Sequence, residues 1–158
     1  MAHSASWDAE LNVPAKQIWK AFENCANIFP KLMPKHFKSI EVLEGDGINH
    51  GSVRLIKYGE GFQMATYKLE KIESLDEANM TTTHSVLSGE IMHKYKTYKL
   101  TLKVSPGVRS GTCVVKWVIE YEPAHEGEVV HPENAKETAV HTFKVLEEYL
   151  LSNPLPVT

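Results

Sequence analysis

Six segments in the middle of the chain alternate apolar and polar residues with a period of two, and short clusters of Gly, Asp, Asn and Pro separate them. This alternation is typical of strands that bury one face, and short connections join strands that lie next to each other and run antiparallel. The predicted strands are Lys38–Glu44, Ser52–Tyr58, Gln63–Glu73, Met80–Ser88, Tyr95–Val104 and Thr112–Glu122. We therefore expect an antiparallel meander between residues 37 and 122.

The elements on either side of this meander complete the predicted fold. A seventh strand, Ser6–Val13, alternates in the same way and ends at Pro14, which suits the start of a helix because no N–H donor is needed there. Two short helices are expected next, divided near Asn24 and interrupted by Pro30. Pro132–Leu151 is predicted to be the one long helix. Together these elements predict an α+β fold in which a seven-stranded, curved antiparallel sheet wraps around the long C-terminal helix.

Length, composition and charge limit the classes of function. The 158 residues are 42% hydrophobic and 23% charged, which is ordinary for a globular domain, and we expect one domain over residues 1–158. A net charge of −3 argues against binding nucleic acid or an anionic membrane by bulk electrostatics. We find neither a secretory signal nor an apolar run of about 20 residues, so we expect a cytoplasmic protein, monomeric or weakly dimeric. Cys25 and Cys113 are expected to be reduced thiols.

The predicted sheet is too large for the predicted helix to fill. A twisted sheet of seven strands encloses more volume than one helix occupies, and its expected inward face mixes polar with apolar side chains. We therefore predict an internal hydrophobic cavity that binds a small molecule through a few polar groups. The residues expected to line it are Arg54, Ile56, Tyr58, Ala65, Tyr67, Leu69, Thr82, His84, Tyr98, Leu100, Thr138, His141 and Thr142.

Several motifs in chain order resemble the plant major latex protein family, which belongs to the birch-pollen-allergen superfamily of pathogenesis-related proteins. They are Ile28–Lys31, Phe37–Gly47, Gly51–Leu55, Val115–Trp117, Glu120–Glu122 and Ala139–Lys144. The resemblance implies a seven-stranded sheet that grips a long C-terminal helix around a hydrophobic cavity. It also implies binding of hydrophobic small molecules such as plant hormones, flavonoids, sterols, alkaloids or xenobiotics.

The orientation of Lys116 is the open question in the last strand. Amphipathic alternation buries the face with Trp117 and exposes Lys116. By resemblance, however, Lys116 occupies the position of the catalytic lysine of norcoclaurine synthase, an enzyme of the same superfamily, which points into the cavity. We expect Lys116 to face the cavity as a ligand-binding residue, where desolvation would lower its pKa and allow acid–base chemistry.

Two functions are compatible with this cavity. The first is an intracellular plant protein that binds a hydrophobic hormone, terpenoid, alkaloid or other specialised metabolite. The alternative is a cofactor-independent cyclase or isomerase of a reactive terpenoid or alkaloid intermediate, with His84 and Lys116 as catalytic residues. No cofactor or metal is expected, since the eight histidines show no ligand spacing. The Gly45–Gly51 segment lacks the lysine and the following helix of a nucleotide loop and is predicted to be a hairpin connection.

Overall fold

The computed structural model describes residues 2–156 and confirms the predicted order of elements. In this part of the chain the strands are β1 (His3–Leu11), β2 (Phe37–Glu44), β3 (Val53–Tyr58), β4 (Tyr67–Asp76), β5 (Thr81–Gly89), β6 (Tyr95–Pro106) and β7 (Cys113–Pro123). The helices are α1 (Ala15–Glu23), α2 (Cys25–Leu32) and α3 (Asn134–Ser152), with a 3-10 turn at Glu90–His93. Among the described residues no helix is long and apolar enough to cross a bilayer.

All seven strands belong to one antiparallel sheet in the order β1-β7-β6-β5-β4-β3-β2. β2 to β7 form the predicted meander, and β1 joins β7 at the far edge. The chain therefore leaves β1 at one edge and reaches β2 at the other through α1 and α2. Register shifts in β4 and β6 interrupt the ladder, and such bulges increase the local bend and twist of a sheet.

The start of β4 differs from its prediction. The strand begins at Tyr67, whereas the alternation placed its start at Gln63. The N–H groups of Thr66 and Tyr67 donate to the carboxylate of Glu90, at 2.8 and 3.2 Å, and the ladder with β5 starts only at Lys68. The Glu90 side chain thus accepts the N–H groups that the sequence pattern predicted to pair within the sheet.

The filled core lies at one end of the molecule, where α1 and the second half of α3 pack on β1, β6 and β7. Its fully buried side chains include Leu11, Ile18, Val104, Trp117 and Leu146. Cys25 and Cys113 are free and buried, as expected. Phe143, Leu146 and Leu150 of α3 belong to this core and Tyr149 packs against it, so the second half of the helix is anchored to the sheet.

Two polar contacts tie the chain ends to this core. The N–H of Asn12 donates to Oε2 of the buried Glu147 at 2.7 Å, which connects the end of β1 to α3. Gln17 on α1 makes a reciprocal pair with Leu155, because its amide donates to the Leu155 carbonyl and accepts from the Leu155 N–H, both at 2.8 Å. The second half of α3 and the segment that follows it are therefore restrained by elements distant in sequence.

The glycine-rich segment between β2 and β3 is a hairpin loop organised around Asp46. Its carboxylate accepts the N–H groups of Ile48 and Asn49, each at 2.8 Å, and these bonds hold the pKa of Asp46 well below its usual range. Gly45 has a φ of 74°, and a Cβ there would lie 2.5 Å from Oγ of Ser52. The segment is therefore a hairpin connection, as predicted, and its amides already bond an internal carboxylate.

We expect Leu146→Ala to lower the free energy of unfolding by about 2–5 kcal/mol, since the side chain is fully buried and truncation leaves a cavity. Leu151→Ala on the same helix should change it by less than about 0.5 kcal/mol, because that side chain is 59% exposed. Denaturant unfolding of both variants measures the difference. Similar losses at the two positions would contradict the assignment of the filled core to this face of α3.

Candidate functional site

An internal cavity of about 280 Å³ lies between the concave face of the sheet and the first half of α3. Most of the residues predicted to line it do so: Arg54, Ile56, Tyr58, Ala65, Tyr67, Thr82, His84, Tyr98, Leu100, Thr138 and Thr142. Aromatic side chains from outside that set, including Phe22, Phe37 and Phe143, form much of the remaining wall. The expected cavity is therefore present at the end of the molecule that the helix does not fill.

The expected placement of Lys116 in the cavity is wrong. Lys116 is exposed on the outer face of β7, and Trp117 is buried and lines the cavity. The alternation Val115, Trp117, Ile119 fixes this face, because a strand that turned Lys116 inward would expose all three apolar side chains. Lys116 therefore cannot reach a molecule held in the cavity.

Leu69 and His141 also lie outside the cavity lining, contrary to their prediction. Leu69 is on the other face of β4, because the inward face of that strand carries Lys68, Glu70 and Ile72. On α3, Thr138 and Thr142 are four residues apart and share the inward face, so His141 points outward. Its ring lies 4.9 Å from that of His36, measured between centroids.

Lys68 and Glu70 are the site residues that the sequence analysis missed. Apolar Tyr67 and Leu69 suggested the opposite face of β4, and charged residues rarely occupy a buried strand face. One signal was available, since Arg54 and Glu70 stand directly opposite each other on β3 and β4. Recognising that pair requires the register between strands, which the turns alone do not define here.

Arg54 is the best-connected side chain at the polar end of the cavity. Its Nε and Nη2 donate to Oε1 of Glu70, the Nε contact at 3.0 Å. Nη1 donates to Sγ of Cys25 at 3.2 Å and to the carbonyl of Gly47 at 3.3 Å, and Nη2 also approaches Nδ1 of His84 at 3.5 Å. All five N–H donors of the guanidinium therefore have acceptors within the protein.

Lys68 is the second cation that contacts the same carboxylate. Its Nζ lies 3.1 Å from Oε2 of Glu70, and its charge also acts on the neighbouring Tyr58 phenol, whose pKa it lowers against the larger effect of burial. Burial alone would lower the pKa of Lys68 and raise that of Glu70, but their mutual attraction reverses both directions. Arg54 adds to the stabilisation of the Glu70 carboxylate. Lys68 is therefore held as a cation and Glu70 as an anion.

His84 is the neutral member of this cluster. Burial lowers its pKa to about 4, and Arg54 and Lys68 oppose a further positive charge, although Glu70 favours it. The Thr82 hydroxyl donates to the Ser74 carbonyl at 3.2 Å, so it accepts from Nε2 of His84 at 3.2 Å. The network thus assigns the proton to Nε2 and leaves Nδ1 as the acceptor for Arg54.

We expect Glu70→Gln to lower the free energy of unfolding by about 3–5 kcal/mol, because the buried Arg54 and the partly buried Lys68 then lose their common counter-charge. Glu44→Gln is the matched control, since Glu44 is exposed on the edge strand β2. Chemical denaturation at neutral pH compares the two. A loss below about 1 kcal/mol for Glu70→Gln would show that the cations are solvated rather than dependent on this carboxylate.

The low pKa of His84 predicts a loss of stability in mild acid. The unfolded chain binds a proton near pH 6.5 and the folded chain only near pH 4, so stability falls as the pH drops through this interval. Between pH 7.5 and 5 the wild type should lose about 2 kcal/mol through His84, and His84→Gln should not show that part of the loss. His125→Gln, at an exposed position, should keep the wild-type slope. If the free energy of unfolding, measured by denaturation at a series of pH values, falls equally steeply with pH for wild type and His84→Gln, the imidazole of His84 is not buried and neutral.

Comparison with known proteins gives one family over nearly the whole chain. The profile described as Pathogenesis-related protein Bet v 1 family matches residues 1–153. MLP-like protein 423 of Arabidopsis thaliana is 41% identical over 145 residues, which are 91% of each chain. Pathogenesis-related protein 2 of Petroselinum crispum is 33% identical over 147 residues, 90% of each chain.

Solved structures share the fold at lower identity. The major latex-like protein 151 of Panax ginseng superimposes with a TM-score of 0.82 at 18% identity, over 94% of this chain and 97% of that chain. Norcoclaurine synthase of Thalictrum flavum, in complex with dopamine and hydroxybenzaldehyde, gives 0.76 at 19% identity, over 99% and 90%. Profile, relatives and fold agree that the chain belongs to the pathogenesis-related Bet v 1 family, and its resemblance to the major latex proteins is confirmed.

Proposed function

We propose that this protein binds one hydrophobic small molecule in the cavity between the sheet and α3. The observation that carries this proposal is the internal space of about 280 Å³ with a largely apolar and aromatic wall and polar groups at one end. An engineered apolar cavity of roughly 150 Å³ accommodates benzene. By that comparison the natural cavity suits a molecule with about two rings, such as a hormone, terpenoid, alkaloid or other specialised metabolite.

The cavity wall would supply most of the affinity. Burial of apolar surface contributes on the order of 25 cal/mol per Å², so a guest that fills the space between Phe37, Ile56 and Phe143 gains several kcal/mol. Polar contacts at one end then fix its orientation, as in other small-molecule sites. The apolar body of the ligand would therefore contribute most of the binding free energy, and a single polar group would determine its orientation.

The titratable groups support binding rather than acid–base catalysis. A cyclase or isomerase needs a residue that exchanges protons near neutral pH. Lys68 is held as a cation by Glu70, and His84, with a pKa of about 4, is a weak base. Lys116 lies outside the cavity. The enzymatic alternative keeps His84 as its one predicted catalytic residue that borders the cavity.

The names of the relatives suggest a physiological setting. The relative from Petroselinum crispum is named a pathogenesis-related protein, and we propose a role in plant defence or specialised metabolism for this chain. A cytoplasmic location and a monomeric or weakly dimeric state stay predictions from the sequence.

An apolar fluorescent dye should bind the native protein saturably at one site. Ala139→Trp places a large ring in the cavity and should weaken that binding at least tenfold, because the two rings compete for one space. Ala78→Trp, on the exposed β4–β5 turn, should leave the affinity unchanged. Fluorescence titration measures both, with thermal unfolding as the check that each variant folds. Equal affinity for Ala139→Trp and wild type would show that the dye binds elsewhere.

A further inference from the structure

The polar end of the cavity carries more positive than negative charge. Arg54 and Lys68 are both cations, and both contact the single carboxylate of Glu70. His84 adds no charge at neutral pH, because burial lowers its pKa to about 4. The cluster therefore has an excess of one positive charge inside an otherwise apolar space.

The other carboxyl group that lines the cavity does not balance this excess. Glu23 belongs to a separate group on α1, where it lies 4.0 Å from Nζ of Lys20 and beside Glu77. Burial, followed by the influence of Glu77, raises the pKa of Glu23, which further reduces its value as a counter-ion. Lys68 and Arg54 are not among the groups that act on it.

We propose that the cavity selects an apolar ligand that carries an anionic oxygen group, a carboxylate in particular, and that Lys68 binds this group. The inference rests on the proposed function, because it names the chemistry of the molecule that the cavity holds. Neutral ligands of the same shape bind more weakly, and ligands with an amine are disfavoured by two nearby cations.

Lys68, rather than Arg54, is the cation available to a ligand. The guanidinium of Arg54 has already placed all its donors on Glu70, Cys25, Gly47 and His84. The Lys68 ammonium has three N–H donors, and the Glu70 carboxylate engages one of them. Donor capacity is therefore left for a ligand, and the side chain keeps 21% of its surface accessible.

Two phenols next to Lys68 add neutral donors for the same group. Tyr58 and Tyr98 both line the cavity, and both interact with Lys68. Burial raises the pKa of each phenol, so each keeps its proton and can donate a hydrogen bond. A carboxylate has about four acceptor positions, which suits an ammonium flanked by two hydroxyls.

The low polarity of the cavity strengthens the charge selection. A charge pair interacts more strongly there than at the surface, because less water screens it. A bound carboxylate loses its hydration, but it gains charge-assisted hydrogen bonds and neutralises the unbalanced cation. A neutral group of equal shape gains only ordinary hydrogen bonds.

Two isosteric probes test this selection, 1-naphthylacetate and its neutral amide, 1-naphthylacetamide. Calorimetric titration of the wild type at pH 7.5 should show the anion bound at least tenfold more tightly than the amide. Lys68→Met removes the charge with little change of shape and should bring the two affinities within about twofold. Lys116→Met, which removes an exposed lysine from the outer face of β7, should keep the wild-type ratio.

The outcomes separate this inference from the proposed function. Equal affinities of the wild type for both probes would overturn the anion selection and leave the hydrophobic binding function intact. Failure of both probes to bind would overturn both. A preference for the anion that survives in Lys68→Met, or disappears in Lys116→Met, would refute the role given to Lys68. If Lys68→Met does not fold, the ratio of the wild-type affinities for the two probes still decides whether the cavity selects the anion.

Discussion

The ion pairs that the Glu70 carboxylate makes with Arg54 and Lys68 are the interactions on which the polar end of the cavity depends. Through Arg54 the carboxylate reaches the start of α2 at Cys25, the β2–β3 loop at Gly47 and, on β5, His84. Buried ion clusters often stabilise a protein no more than well-packed apolar side chains would. A cluster of this kind beside an empty apolar space is therefore better explained by selection for recognition than by selection for stability.

The two halves of α3 have different roles, since one stabilises the fold and the other lines the cavity. The second half packs Phe143, Leu146 and Leu150 into the filled core and supplies the tertiary stability. The first half presents small or polar side chains, among them Ala139 and Thr142, to the cavity. The sheet makes this division possible, because it curves around more volume than one helix occupies.

Most of the fold could be predicted from the sequence, since alternation is reliable where one strand face is uniformly apolar. β1 and β7 are of this kind, and in both strands the alternation taken alone indicates the face that the structure buries. The orientation of Lys116 was wrong because a resemblance in sequence position was given more weight than the amphipathic pattern around Trp117. Local physical chemistry was the better guide there, since three apolar side chains depended on the same register.

The polar end of the cavity could be predicted only in part, for a different reason. Arg54 and His84 were found as polar residues on otherwise apolar faces, whereas Lys68 and Glu70 were hidden by the apolar residues that alternate with them in β4. Their burial becomes plausible only when Arg54 is placed opposite Glu70 on the next strand. That information belongs to the pairing of strands rather than to any one segment.

The uneven support beneath α3 also has a consequence for motion. Residues near Ala135 and Thr138 rest on empty space, whereas the turns around Leu146 and Leu150 rest on packed side chains. Local opening of a helix costs less where fewer tertiary contacts are lost. Backbone amides in the first two turns of α3 should therefore exchange their hydrogens faster than those in the last two. These turns form one wall of the cavity, so their fraying provides a natural route for a guest to enter and leave without unfolding the core.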